Sequence, residues 1–269
     1  MKEQSTRSIF LSAYLGMLLF GISLTTLGSV APLLREKFAM DPIAFGSLFS
    51  ILPFGILSGS LLFGPFADKC GYKIILLLAG AAMFAGFQGI AYAHSITVLK
   101  ICVFLFGLGG GALNGSTNAI VSDISNKNKS ANLSLLGVFF AAGALGMPFV
   151  LGILEKQFSF EEIVAGTGYV ALFSTIVFFF TKFPEAKRAH GVSLEDIWKL
   201  MKDRLLLAVG FFLFCQSSFE AIINNWTTTY LLDKLQITTS AALYALSMYV
   251  AGMAVTRILL GKLLRNIKP

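Results

Sequence analysis

Apolar residues along the chain gather into eight runs of roughly twenty, each bounded by charged or turn-forming residues. The runs are Ile9–Leu34, Ile43–Phe63, Ile74–Ala93, Ile96–Val121, Leu133–Leu154, Ile163–Thr181, Leu205–Leu232 and Ala241–Leu260. A helix rises 1.5 Å per residue, so about twenty residues cross the ~30 Å hydrocarbon core of a bilayer. Lipid offers the backbone no hydrogen-bond partners, so continuous apolar runs of this length must be helices that satisfy themselves. The pattern predicts an all-α polytopic membrane protein with eight spans.

The stretch from Gly64 to Lys73 (GPFADKCGYK) is a charged, glycine-bounded interruption between the second and third runs. So short a connection sends its flanking spans across the membrane in opposite directions. With the N-terminus placed in the cytoplasm, alternation puts sixteen Lys and Arg residues on the cytoplasmic side and five on the other. Positive charge accumulates on the cytoplasmic side of short loops. The expected topology is therefore a multi-pass protein of the plasma or inner membrane with both termini cytoplasmic. The first run is too long for a signal-peptide core, and Pro32 follows the only small-residue cleavage pattern, so this span is expected to stay in the protein.

Composition agrees. Only 13% of the 269 residues are charged and 56% are hydrophobic, against roughly 25% charged in soluble domains. The 26 glycines suit helices that approach closely in lipid. A net charge of +7 does not indicate a nucleic-acid partner, because the positive residues lie in the loops. Three cysteines without clustered spacing give neither a disulfide framework nor a metal site. Gly109-Gly110-Gly111 lies inside an apolar run with no lysine to meet a phosphate. No nucleophile–base set is present either, so neither an enzyme nor a cofactor is expected.

The longest connection, Lys182 to Arg204, divides the chain into residues 1–181, a linker at 182–204, and residues 205–269. Within the linker, Ser193 and Asp196 are spaced as a capping box. Leu194, Ile197, Trp198, Met201 and Leu205 then share a face, which predicts an amphipathic surface helix; the first turns of span seven are the alternative. Gly64 and Asp68-Lys69 after span two are echoed by Gly261-Lys262 after span eight, a weak internal repeat.

Of the 14 acidic residues, Glu220 alone lies deep within a span. A mid-bilayer charge costs at least about 2.5–3.5 kcal/mol, so such a residue requires a partner, a wet cavity or a solute. Gln216, Glu220 and Asn224 continue one helical stripe, with Asn225 and Trp226 beside it. Carboxylate, amides and an indole suit a polyhydroxylated solute; a structural hydrogen-bond cluster is the alternative. In span four, Gly107, Gly111, Asn114, Asn118 and Ser122 share one face, and the two asparagines present carboxamides either to a cavity or to a neighbouring helix. Asp68 and Asp123, at span ends, lie near Lys69, Lys73 and Lys127, an arrangement that permits charge pairing to latch one conformation. Gly137, Gly143, Gly146, Pro148 and Gly152 predict a close-packed fifth span. Gln88 is expected to serve packing.

Gly64–Lys73, in the form G-x-x-A-D-K-x-G-x-K, resembles the loop motif between helices two and three of the major facilitator superfamily. Lys69 stands where arginine is common, and Tyr72 interrupts the usual basic pair. Gly143–Pro148 resembles the glycine–proline motif of the fifth helix. Leu113–Asn118, and Glu220 with Asn225-Trp226, resemble elements of the fucose:proton symporter-like sugar transporters. The resemblance implies a twelve-helix carrier of a small polar, sugar-like solute, working by alternating access. Its cavity would be lined by helices one, four, seven and ten. Asn114, Asn118, Gln216, Glu220, Asn224, Asn225 and Trp226 would then bind the solute, and Gly64, Asp68, Lys69, Gly71, Lys73 and Asp123 would form a conformational gate. Asn114 stands where a proton-linked symporter of this group carries glutamate. Eight spans leave helices nine to twelve to a separate chain, or make the chain a fragment without transport activity of its own.

Overall fold

The computed structural model describes residues 3–125, 129–184 and 202–264, and the expected amphipathic helix of the linker lies outside them. All regular structure among these residues is helical. The helices are α1 (Glu3–Lys37), α2 (Pro42–Tyr92), α3 (Ile96–Ile124), α4 (Lys129–Leu154), α5 (Phe160–Phe180), α6 (Arg204–Leu235) and α7 (Thr239–Leu264). Each is long and apolar enough to cross a membrane.

The sequence pattern gave eight spans and the structure has seven helices, because α2 joins the second and third runs in 51 residues. At 1.5 Å per residue α2 would extend about 76 Å, more than twice a hydrocarbon core. It does not run straight. Gly71 has φ 78° and ψ 163°, outside the helical region. Along the arm before Gly71, Gly55 lies by Phe104, Gly59 by Leu108, and Phe63 by Gly115, so this arm ascends with α3. Along the arm after it, Ala79 and Met83 lie by Gly109, Gly86 by Phe106 and Gly89 by Cys102, so the second arm runs against α3. The two arms are antiparallel, and seven helices make eight crossings. The ten-residue turn expected at Gly64–Lys73 therefore contracts to one residue.

This φ/ψ region is essentially restricted to glycine and costs other residues about 1–3 kcal/mol. Gly71→Val should lower the thermal stability of the detergent-solubilised protein. Gly64→Val should be tolerated far better, since a Cβ there meets nothing within 4 Å. Equal losses in the two variants would show that Gly71 is not the hinge.

Side-chain caps fix the helix starts. Asp41 Oδ1 accepts from Ala44 N at 2.6 Å, and Ser95 Oγ accepts from Val98 N at 3.3 Å. Ser159 and Glu162 form a full capping box on α5, which satisfies two otherwise orphaned donors. The core lies between α3 and both arms of α2, where Phe87 and Phe106 meet edge to face with centroids 4.7 Å apart. Gln88 Nε2 donates to Ala165 O at 3.0 Å, tying α2 to α5, the packing role its sequence context indicated.

Along α1 runs α4 in the same direction. Tyr14 stacks on Phe139 at 4.5 Å, and Gly143 lies against the backbone at Leu18. The fifth span is only partly as close-packed as expected: Gly143 and Gly152 abut neighbours, whereas a Cβ at Gly137 or Gly146 would meet open space. The helices α6 and α7 pack on α1 and α4. Alternation gives the bundle two ends. The N-terminal face carries Gly71 and the starts of α1, α4 and α6; the distal face carries Met40, Ala93, Phe158 and Gln236.

Candidate functional site

On α3, Asn118 Nδ2 donates to the carbonyl of Asn114 and to its Oδ1, both at 2.9 Å. It also approaches Met17 Sδ of α1 at 3.9 Å. The four-residue spacing makes the two amides neighbours, and both are half-buried. Thr117 abuts Gly16 and Gly110 abuts Ser23, so α3 runs against α1 and places Asn114 and Asn118 beside residues 17–20 of α1.

On α6, Gln216 Nε2 donates to Glu220 Oε2 at 3.0 Å. One turn further, the stripe changes surroundings. Asn224 and Asn225 are only 5% and 8% exposed and lie against Gly28 of α1. Their Oδ1 atoms, and Thr229 Oγ1, are buried without a hydrogen-bond partner. Trp226 packs on α2, with ring centroids 5.6 Å from Phe45 and 4.9 Å from Phe49. The structure thus pairs Gln216 with Glu220, and sets Asn224, Asn225 and Trp226 in a seam between helices.

No extensive direct contact joins α3 and α6; both lie on α1. That helix serves as a common ruler. Asn224 sits at the level of Gly28, and α6 runs parallel to α1. Stepping back one turn of about 5.4 Å at a time puts Glu220 near level 24 and Gln216 near level 20. Asn114 and Asn118 occupy levels 17–20. Gln216 is thus level with Asn114, while Glu220 lies about one turn nearer the distal face and Asn118 about one turn nearer the N-terminal face, a spread of about 10 Å along α1.

Sequence reasoning missed the seam's other members. The Arg35 guanidinium binds the Asp233 carboxylate through two hydrogen bonds of 2.8 Å and lies 5.4 Å from the centre of the Phe45 ring. Thr228 Oγ1 donates to the Gly28 carbonyl. Between α4 and α7, Ser240 Oγ bonds Glu155 Oε1, and Tyr244 packs on Phe149 with centroids 6.1 Å apart. Arg35 and Asp233 look in the sequence like ordinary interface charges. The available signal is spacing, since Gly28 and Arg35, like Trp226 and Asp233, stand two helical turns apart on one face.

All these contacts lie toward the distal face. Nearer the N-terminal face α6 is uncovered, with Leu205 73% exposed. The bundle is closed at one end and splayed at the other.

At the N-terminal face, buried Tyr72 donates its hydroxyl to Asp123 Oδ2 at 2.8 Å. Lys73 places its Nζ 5.1 Å from the centre of the Phe179 ring. Asp68 and Lys69 are exposed, Gly64 lies within the helix, and Lys127 is outside the described residues.

Residues 13–269 match the Major Facilitator Superfamily as a family. The chain belongs to that superfamily. Among curated relatives, it is 26% identical over 216 residues to an uncharacterized MFS-type transporter, YfkF, of Bacillus subtilis (strain 168), covering 77% of this chain and 54% of YfkF. It is 27% identical over 171 residues to the 4-hydroxybenzoate transporter PcaK of Pseudomonas putida, covering 63% of this chain and 38% of PcaK. The chain thus spans about half or less of these relatives' length. Among solved structures, the crystal structure of a D-xylose–proton symporter aligns with a TM-score of 0.76 at 17% identity, covering 97% of this chain and 70% of that one. At that identity the likeness is one of fold. This major-facilitator chain is a multi-pass membrane protein from a family of carriers that are typically non-enzymatic.

Proposed function

We propose that this chain carries a small polar solute, sugar-like and neutral, across a cell membrane by alternating access. The observation behind this reading is that Asn114 and Asn118 of α3 and Gln216 and Glu220 of α6 lie within about 10 Å of one another in depth along α1. Amides and a carboxylate hydrogen-bond hydroxyls well. An aromatic acid, the solute in PcaK's name, fits less well. Its carboxylate would bring a negative charge close to the Glu220 side chain. Like charges at close range in a low dielectric are costly.

The bias of basic residues supports a cytoplasmic N-terminal face in an inner or plasma membrane. The closed distal seam then corresponds to an inward-facing carrier. The Gly64–Lys73 hinge, tied to Asp123 through Tyr72, would steady the cytoplasmic end of the six spans at 1–181. Those spans form one unit, with residues 205–269 beginning a second. Asn224, Asn225 and Trp226 bound the solute space on its distal side. No cofactor and no nucleic acid takes part.

The test is a binding panel on the protein in nanodiscs, comparing neutral monosaccharides with benzoate. Glu220→Gln and Asn118→Ala should each weaken sugar binding about ten-fold. Unchanged affinity in both variants, or tight binding of benzoate alone, would overturn the assignment.

The exposed apolar face of α6, with Leu205, Phe211, Phe212 and Phe214 uncovered, favours a second reading. In it this face packs against further transmembrane helices. Solute uptake by this chain alone in vesicles would eliminate that reading.

A further inference from the structure

Between α1, α4 and α5 lies a cavity of about 540 Å³ that the solute site does not use. We propose that it holds one acyl chain of an amine-bearing phospholipid from the bilayer leaflet at the distal face. Although consecutive, α4 and α5 hardly touch, and the gap between them reaches down to Leu18 and Ile22 of α1. Two glycines create the space: a Cβ at Gly146 or Gly166 would meet nothing within 4 Å.

The walls make no polar demand. Their one hydroxyl, Thr167 Oγ1, already donates to Ile163 O at 2.8 Å. The outer edge is formed by exposed Val150, Gly166 and Val170, so the cavity opens sideways to lipid. Along α4 the lining runs from Ala142 to Leu154, a twelve-residue step that rises about 18 Å. Half of a ~30 Å hydrocarbon core is ~15 Å, so the groove matches the depth of a single leaflet.

Its mouth chooses the headgroup. Glu162 lines the distal end of the cavity, and Lys156 is exposed on the turn just before it. A carboxylate beside an ammonium complements a headgroup that carries a primary amine and a phosphate. Water or a soluble apolar solute would gain less, because the cavity is dry-walled and faces hydrocarbon rather than solvent.

The test is native mass spectrometry of the full chain with added palmitoyl-oleoyl phosphatidylethanolamine or the matching phosphatidylglycerol. Wild type should retain one phosphatidylethanolamine in preference to phosphatidylglycerol. Gly146→Leu with Gly166→Leu should cut retention at least five-fold. Gly137→Leu, at another open position on α4 outside the cavity, should leave it unchanged. Glu162→Gln keeps the capping geometry and should equalise the two lipids. In wild type, a diazirine at the acyl terminus should label Leu18, Ile22 or Ala142. Equal retention by wild type and the double variant, equal loss in Gly137→Leu, no headgroup preference in wild type, or labelling confined to other helices would each overturn the proposal.

Discussion

On the carrier reading proposed above, Gly28→Leu should abolish solute uptake while leaving the six N-terminal spans folded. A Cβ at residue 28 would fall on the carbonyl oxygen of Asn224 and close to Cα of Asn225. These are backbone atoms, which cannot rotate aside as a side chain would. So α6 must retreat from α1, losing the Thr228 hydrogen bond to the Gly28 carbonyl. Overpacking costs typically 1–3 kcal/mol and sometimes more. Placed on the seam between α1 and α6, that cost falls on the docking of α6 rather than on the rest of the fold. Asn225, 8% exposed when the seam is closed, provides the readout. With Cys70, Cys102 and Cys215 replaced by serine, Asn225→Cys should react slowly with a charged thiosulfonate added at the distal face. Adding Gly28→Leu should accelerate that labelling roughly five- to 150-fold, and Gly28→Ala should give an intermediate rate. Normal uptake and slow labelling in Gly28→Leu would mean that this contact does not govern closure.

The membrane fold was largely legible because lipid imposes a length rule on each apolar run. All eight predicted runs coincide with helical segments, two of them overrunning the helix end by one residue, at Ala93 and Thr181. The one structural surprise, two runs merged into α2, arose because a charged decapeptide looks like a loop, whereas one residue at φ 78° suffices to reverse the chain. Asn114 and Asn118 stood out, since an amide stripe in an apolar helix must find partners, and they find each other. Glu220 was visible for the same reason. Arg35 and Asp233 were not: charges at span ends are the expected norm, and their pairing depends on how α1 and α6 dock, which no local pattern encodes. The cavity between α4 and α5 was hidden for a related reason. Glycine at helical spacing signals close packing in one place and an open groove in another. Only the neighbouring helix decides which, and so Gly143 is pressed against α1 while Gly146 faces open space.

Reversing the Arg35–Asp233 pair should separate the ion pair from the aromatic contact beneath it. The two side chains are 37% and 39% exposed, so solvent screens their attraction, and exposed pairs contribute about 0–1 kcal/mol. The bidentate geometry places this pair toward the upper end of that range. The guanidinium also lies over Phe45, a contact that adds about 0.5–1 kcal/mol at such a site. Together they favour distal closure by about 1–2 kcal/mol, or roughly five- to thirty-fold in the closed-to-open ratio. Arg35→Asp sets two carboxylates face to face across the seam and removes both contributions. It should slow uptake by about that factor and raise the labelling rate of Asn225→Cys in parallel. Asp233→Arg alone keeps Phe45 covered and should be milder. The double reversal regains the ion pair without the ring contact, so its closure should recover only partly. High salt should weaken wild type toward Arg35→Asp, because the Debye length falls from about 10 Å at 0.1 M to about 3 Å at 1 M, close to the separation of this half-exposed pair. Complete rescue by the double reversal would assign the whole effect to charge. No rescue, with all three variants alike, would assign it to packing of Arg35 and Trp226 around Phe45 and remove the ion pair from the closing mechanism.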